Sequence, residues 1–174
     1  MLKSLILVCC LALTGLVLSG LARAADAAQA DSALARQVNA FVDGWHDDAA
    51  HARMAYFDKI APDGVYIGTD RGELWQRDAF KAWARKFFER GSAWNFHATR
   101  RNVYASSDGK LVWFDELLDT PNMGHCMASG VIRRTATGFE IVHYQLSIAV
   151  PNEIAKQVTS LARAAEAKAA EGKQ

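Results

Sequence analysis

The chain has 174 residues, with 20 Lys and Arg against 19 Asp and Glu and a formal net charge of +1. This balance gives no electrostatic basis for binding nucleic acid or an anionic membrane surface. The length suits a single domain whose core is large enough to be stable without disulfides.

The first 24 residues are typical of a secretory signal peptide. Lys3 supplies a positive start, the run Leu5–Leu21 is uncharged and mostly apolar, and Ala22-Arg23-Ala24 forms a small-x-small cleavage site. We expect cleavage after Ala24, leaving residues 25–174 as one domain in the periplasm or outside the cell. A retained membrane anchor is the alternative, because the apolar run is close to the lower length limit for a span.

Removal of this segment changes the charge and the cysteine content. Lys3 and Arg23 leave without an acidic residue, so 18 basic side chains remain against 19 acidic ones. Cys9 and Cys10 leave as well, and a mature chain with only Cys126 cannot form an intramolecular disulfide. No nucleophile signature such as a Gly-rich elbow surrounds Cys126, which we predict to be a small core residue.

Two helices are predicted at the start of the domain. The first carries an apolar stripe at helical spacing, at Leu34, Val38, Phe41, Val42 and Trp45. Asp47 or Asp48 is placed to cap a second helix, whose predicted buried positions are Met54, Phe57 and Ile60. The sequence Ala61-Pro62-Asp63-Gly64 is expected to end that helix, and a short β-like run, Val65–Ile67, follows.

A third helix is predicted from about Arg77 to Arg90. Its apolar side chains recur at helical spacing, at Phe80, Trp83, Ala84, Phe87 and Phe88. Gly91 lies where a left-handed residue commonly ends a helix. A last helix is predicted from Pro151, with a stripe at Ile154, Val158, Leu161 and Ala165, and its tail from about residue 164 is expected to fray.

The segment from Gly91 to Ser147 is predicted to form a four-stranded antiparallel meander. Four runs rich in Val, Ile, Phe, Tyr and Trp are separated by three turns, at Ser107-Asp108-Gly109, Asp119-Thr120-Pro121-Asn122 and Ala136-Thr137-Gly138. Such short connections join antiparallel strands, since parallel strands need longer crossovers.

Several short stretches of the chain resemble SnoaL-like proteins of the nuclear-transport-factor-2-like superfamily. These stretches are Ala61–Val65 with Gly68–Asp70, Ser107–Lys110 with Trp113–Glu116, and Gly138–Ile141 with Tyr144–Ser147. The resemblance extends from about Val38 to Val158. It implies an α+β cone of the cystatin-like type, with N-terminal helices packed in the concave face of a curved antiparallel sheet.

The resemblance is informative for fold and weak for function. The superfamily includes ketosteroid isomerases, polyketide cyclases, dehydratases, oligomerisation modules and many non-enzymes, so the fold does not select a reaction. Its isomerase and cyclase branches resemble one another in using a carboxylate inside the cone, sometimes with a His or Tyr. No residue of this chain matches those catalytic positions.

Strand alternation divides the meander into two faces. If the first and last turns are three-residue loops, even-numbered residues face one another across the hairpins. The face expected to be concave then holds Phe96, Arg100, Asn102, Phe114, Glu116, Leu118, Cys126, Ala128, Gly130, Val142, Tyr144 and Leu146. The opposite face holds His97, Arg101, Trp113, Asp115, His125, Met127, Ile141, His143, Gln145 and Ser147. A two-residue loop at either hairpin would reverse the pairing for that strand.

Glu116 is the candidate general base on the favoured face, with Tyr144 as its partner, because a carboxylate among aromatic side chains is partly desolvated. A structural ion pair with Arg100 on the neighbouring strand is the alternative. Asp115 and His143 are the alternates if the face is reversed. The residues predicted to bind a ligand are Phe96, Arg100, Asn102, Phe114, Cys126, Leu146, Trp83 and Phe87.

These features favour an exported protein that binds a small, largely apolar organic molecule inside the cone. The alternatives are an enzyme that moves a proton or water on such a molecule and a non-catalytic interaction module. No cofactor is expected, and no metal, since His46 and His51 lie on different faces of a helix. The convex face, with Trp113, Met127, Val131 and Ile141, is predicted to form a homodimer.

Overall fold

The computed structural model describes residues 30–91 and 93–172. The predicted signal peptide, with Cys9 and Cys10, lies outside the described residues. The helices are α1 (Ser32–Ala50), α2 (Ala55–Asp58), α3 (Arg77–Phe88) and α4 (Ala155–Glu171), and a 3₁₀ turn, Asn152–Ile154, precedes α4. The strands are β1 (Ile60–Ile67), β2 (Leu74–Gln76), β3 (His97–Ala105), β4 (Leu111–Thr120), β5 (Gly124–Arg134) and β6 (Phe139–Ile148).

The strands form one sheet in the order β2-β1-β6-β5-β4-β3. The predicted antiparallel meander is confirmed as β3 to β6. The sheet is mixed, however, because β1 pairs with β6 in parallel and carries β2 antiparallel on its outer side. The α+β class is confirmed: side chains of α1, such as Val38 and Trp45, and of α3, such as Phe80, share one core with Phe114 of the sheet.

Aromatic rings occupy the interior between the helices and the sheet. Trp45 of α1 stacks on Tyr56, with ring centroids 4.8 Å apart, and meets Tyr144 of β6 edge-on at 4.8 Å. Tyr66 of β1 stacks on Phe80 of α3 at 4.1 Å. Each of these rings is buried. The concave face of the sheet is therefore lined with rings that touch one another, and this arrangement provides much of the apolar burial that stabilises the fold.

The region after α1 differs from the prediction. Helix α1 continues through Asp47 and Asp48 to Ala50, and α2 has only four residues. The sequence Ala61-Pro62-Asp63-Gly64 does not end a helix but lies inside β1. The register of β1 against β6 shifts between Ile60 and Val65. The Pro-Asp-Gly stretch therefore forms an irregularity in β1, the strand next to the edge of the sheet. Met54, predicted to be buried, is exposed.

The register of β3 corrects the predicted faces. Ala105 pairs with Val112, so the first hairpin loop has one residue more than predicted, and Arg101 lies opposite Glu116. Arg100 is exposed, and the Asn102 amide donates a hydrogen bond to Asp115 Oδ1 (2.7 Å) outside the cone. The predicted concave positions of Arg100 and Asn102 are therefore wrong.

A second irregularity affects the pairing of β5 with β6. The register shifts between Val131 and Ile132, which places Ile141 in the core although it was predicted on the convex face. Beyond that shift the pairing is as predicted, and Tyr144 and Leu146 face the core. Val142, predicted on the concave face, is only half-buried.

Helix α4 contributes nothing to the core. None of its residues is buried, and Val158 and Leu161 of its predicted apolar stripe are exposed. No helix among residues 30–91 and 93–172 has the length and apolar character to span a bilayer.

Candidate functional site

Glu116 of β4 lies at the centre of a buried polar cluster. Its side chain has no exposed surface, and both carboxylate oxygens have partners. The Tyr144 hydroxyl donates to Oε1 at 3.0 Å, and His46 Nε2 lies 2.9 Å from the same oxygen. Arg101 Nε donates to Oε2 at 2.8 Å. Three elements, α1, β3 and β6, thus place a polar group on one carboxylate of β4.

Arg101 links this carboxylate to the rim of the cone. Its guanidinium is almost fully enclosed, with 4% of the side chain exposed, and Nη2 lies 2.7 Å from Glu116 Oε2. Nη1 donates to Asp43 Oδ1 of α1 at 2.8 Å. Because one Arg is held between two carboxylates, its position is fixed from both the helix and the sheet.

The cluster determines the protonation of its members. Burial alone would raise the pKa of Glu116, but the hydrogen bond from His46, the charge that His46 carries when protonated, and the charge and hydrogen bond of Arg101 hold it below its ordinary value of 4.5. Burial, followed by the charge of Glu116, raises the pKa of Tyr144 well above its usual range. Glu116 is therefore an ionised acceptor at neutral pH, and Tyr144 a protonated donor. The raised pKa that we expected for Glu116 as a base is not what this environment produces.

His46 is the member of the cluster that sequence reasoning missed as a functional residue. It was considered only as a metal ligand, between Trp45 and two aspartates. It follows Val42 by four residues, and Val42 is part of the buried stripe of α1, so helical periodicity does place His46 on the core face. Its ring packs edge-on against Phe96, with centroids 5.5 Å apart.

A pocket of about 300 Å³ opens beside this cluster at one end of α1. It is lined by Asp43, His46, Asp47, Ala50, Asn95, Phe96, His97 and Ala98. His46 is buried at this pocket, and its second ring nitrogen, Nδ1, has no hydrogen-bond partner among the described residues. An enclosed polar atom without a partner costs free energy, so such an atom beside a pocket indicates a position where a bound group can interact.

Most of the predicted ligand-binding residues do not border this pocket. Phe96 does, whereas Phe114 and Cys126 are packed in the core. Leu146, also in the core, borders a second, open groove of about 880 Å³ between the loop before β2 and the start of α4. Burial raises the pKa of the Cys126 thiol, which keeps it in the unreactive form.

The remaining candidates lie outside the cone. Trp83 is exposed and Phe87 half-buried on the outer side of α3, because the core-facing residues of that helix are Phe80, Ala84 and Phe88. Asp115 and His143, the alternates to Glu116 and Tyr144, are half-buried on the opposite face of the sheet. Within the described part of the chain, no three His, Cys, Asp or Glu side chains are grouped to hold a metal ion.

Comparison with known proteins gives a family and a fold. Residues 38–151 match the family described as SnoaL-like domain. No functionally curated protein matches the chain. Among solved structures, an NTF2-like protein of unknown function from Pseudomonas putida is 14% identical, with a TM-score of 0.59, and the alignment covers 71% of this chain and 92% of that protein.

Two further structures agree on the fold. A protein of unknown function with a cystatin-like fold from Nostoc punctiforme is 10% identical, with a TM-score of 0.56 and coverage of 70% of this chain and 95% of its own. A protein from Catenulispora acidiphila, solved in complex with S-DNPA, is 21% identical, with a TM-score of 0.55 and coverage of 67% and 94%. At these identities the similarity establishes the architecture alone.

Proposed function

Because the chain belongs to the SnoaL-like domain family, we propose that it is a small-molecule-binding protein whose site is the pocket beside His46. The observation that carries this proposal is the buried Nδ1 of His46, which lacks a partner among the described residues at a pocket lined by other polar groups. The pocket is at the low end of the volumes typical of ligand sites. The ligand is therefore small.

The lining argues for a ligand of mixed character. Phe96, Ala50 and Ala98 offer apolar contact, while Asn95 and His97 offer hydrogen bonds. Asp43 is already paired with Arg101, and Asp47 with Arg53, so neither carboxylate requires a cationic ligand. This differs from the largely apolar ligand expected from the sequence, because the aromatic side chains that were predicted to surround a ligand pack against one another.

A screen of small organic molecules by backbone amide NMR tests the proposal. Binding should shift the signals of Asn95, Phe96 and Ala98 together. Ala98→Trp, which places an indole in the pocket, should abolish the shifts, whereas Thr137→Trp in the exposed loop between β5 and β6 should not. Shifts confined to other parts of the protein, or none at all, would refute a site beside His46.

A dimeric interaction module is a second candidate. Trp113 and Met127 are exposed on the convex face of the sheet, and the helices that share the core, α1 and α3, pack on the opposite face. Exposed large apolar side chains on one face of a sheet are typical of a contact surface. The two functions are compatible, since the pocket beside His46 is on the other side of the sheet.

A further inference from the structure

We infer that His46 is the proton acceptor of this site and that Glu116 is its positioning residue. The inference rests on the proposed function, since it requires a molecule to enter the pocket that His46 borders. It reverses the roles predicted from the sequence, in which the carboxylate itself was the base. The molecule it implies is one with an acidified C–H or O–H bond.

The contact with Glu116 determines the tautomer of His46. Glu116 is ionised and has no proton to donate, so the 2.9 Å contact between Nε2 and Oε1 requires that Nε2 carries the proton. In the neutral ring, Nδ1 then has a free lone pair. A carboxylate that fixes one tautomer of an imidazole in this way prepares the other nitrogen as a base.

The carboxylate of Glu116 is held in one orientation by its partners. Tyr144 donates to the same oxygen that His46 contacts, and Arg101 holds the other oxygen. Each partner comes from a different secondary-structure element, so Glu116 cannot rotate away from His46 without breaking several buried hydrogen bonds. A base held in this manner keeps its orientation, which is a main requirement for efficient proton transfer.

The charge of Glu116 favours proton transfer to His46. Glu116 is fully enclosed and lies 2.9 Å from His46 Nε2, whereas Asp43, on the far side of Arg101, is largely exposed. A proton taken up at Nδ1 produces an imidazolium in direct contact with the ionised Glu116, so the cation that forms is stabilised by a negative charge already in place.

The protein also has a contact between a histidine and a carboxylate on its surface. His125 on the convex face also lies against a carboxylate, with Nδ1 2.6 Å from Asp119 Oδ1. That histidine is largely exposed, with 84% of its side chain accessible, and it borders none of the pockets described above. It offers a matched control: a histidine and carboxylate at hydrogen-bond distance without enclosure.

The eliminative ring opening of 5-nitrobenzisoxazole tests the base directly. Nδ1 takes the proton from the ring carbon, the electrons of that C–H bond form the nitrile, and the N–O bond breaks to leave a coloured phenolate. The imidazolium then returns its proton to water, so no co-reactant is needed.

We expect His46→Ala to lower the rate by about 100-fold, and His46→Gln to lower it similarly while keeping a polar side chain in place. His125→Ala should leave the rate unchanged. A wild-type rate no higher than that of His46→Ala overturns the inference, including the case in which neither protein exceeds buffer.

Nitrogen-15 NMR of the imidazole rings tests the positioning role without turnover. In the wild type, His46 should show a protonated Nε2 and an unprotonated Nδ1. In Glu116→Gln the amide can donate to Nε2, so the opposite tautomer should become populated and the rate should fall. A wild-type ring with its proton on Nδ1 overturns the inference.

If molecules bind beside His46 while either test fails, the inference is wrong and the binding function stands. If nothing binds there, the proposed function fails first.

Discussion

The ring of Phe114 occupies the space where a side chain of Gly130 would lie. A Cβ built on Gly130 would be 2.6 Å from Phe114 Cε1 and Cζ and 3.1 Å from the carbonyl oxygen of His143. The two residues are directly opposite each other on β4 and β5. The absence of a side chain at Gly130 of β5 therefore makes room for the ring of Phe114 on the neighbouring strand.

Gly130→Ala should therefore destabilise the fold. The added methyl group overlaps an aromatic ring on one side and backbone on the other, and overpacking of this kind costs roughly 1 to 3 kcal/mol. The free energy of unfolding in urea is the measurement. Combining the change with Phe114→Leu should recover part of the loss, whereas Ser129→Ala at the adjacent exposed position should have little effect. Equal stability of Gly130→Ala and the wild type would show that the ring can move aside.

Glu116→Gln should destabilise the protein through Arg101. The substitution leaves an enclosed guanidinium with only Asp43 as an anionic partner, and removing one member of a buried ion pair costs roughly 3 kcal/mol. Urea unfolding measures the change. Asp63→Asn, which breaks the exposed pair with Arg133, is the control and should alter stability little. A loss as small as that of the control would mean that the buried pair does not stabilise the fold.

Stability should fall at acid pH because of the same carboxylate. The pKa of Glu116 is lower in the folded protein than its ordinary value of 4.5, so the unfolded chain takes up the proton first as pH decreases. The stabilisation from ionised Glu116 is present above pH 4.5 and is lost as the pH falls through the pKa of Glu116 in the folded protein. The free energy of unfolding should decline over this range in the wild type and less steeply in Glu116→Gln. Parallel acid limbs in the two proteins would contradict the prediction.

Trp113→Glu should convert a dimer into a folded monomer. We propose that the exposed apolar side chains of the convex face, with Trp113 and Met127 at their centre, meet a second copy of the chain. Ile141 is not part of this surface, because it lies in the core. Static light scattering measures the mass. Leu74→Glu, at a still more exposed position on β2, should leave the dimer intact. A wild type that is monomeric at high concentration would exclude this interface.

Export should leave a chain that begins at Ala25. We propose that residues 1–24 are removed after Ala24, as the run of apolar residues and the following small residues predict. Expression in a Gram-negative host followed by intact mass measurement of the periplasmic fraction tests this. Ala24→Pro, which places an unsuitable residue at the cleavage site, should retain the longer form. A full-length protein recovered with membranes would favour the alternative of a retained anchor.

The sequence predicted the meander and α3 because periodicity alone determines them. Four runs of β-type residues between close turns allow few other arrangements, and the alternation placed Glu116, Tyr144 and Leu146 on the correct face. The prediction failed where the register between two strands depends on a difference of one residue in the length of a loop. The longer loop before Leu111 exchanges Arg100 for Arg101 as the partner of Glu116. Loop lengths and bulges depend on backbone geometry that the residue pattern does not contain.

The candidate site was harder to predict than the fold. An ion pair between Glu116 and an Arg of the neighbouring strand was predicted as an alternative. The contact between Glu116 and His46 was not predicted, because these two residues are far apart in sequence. The spacing of four residues from Val42 does separate His46 from His51, which lies on the surface and contacts Asp47, but it does not indicate which residue His46 meets. Only the packing of α1 across the sheet brings the ring to the carboxylate.

The parallel pairing of β1 with β6 has a consequence for how the chain folds. β1 is synthesised early, yet it pairs with the last strand, β6, and Tyr66 of β1 aligns with Tyr144 of β6. Contacts between such distant segments form slowly, because a long stretch of chain must first be ordered to bring them together. The β1–β2 hairpin therefore cannot join the sheet until β6 has been synthesised. A chain truncated before β6 should not hold its N-terminal aromatic residues in a native core.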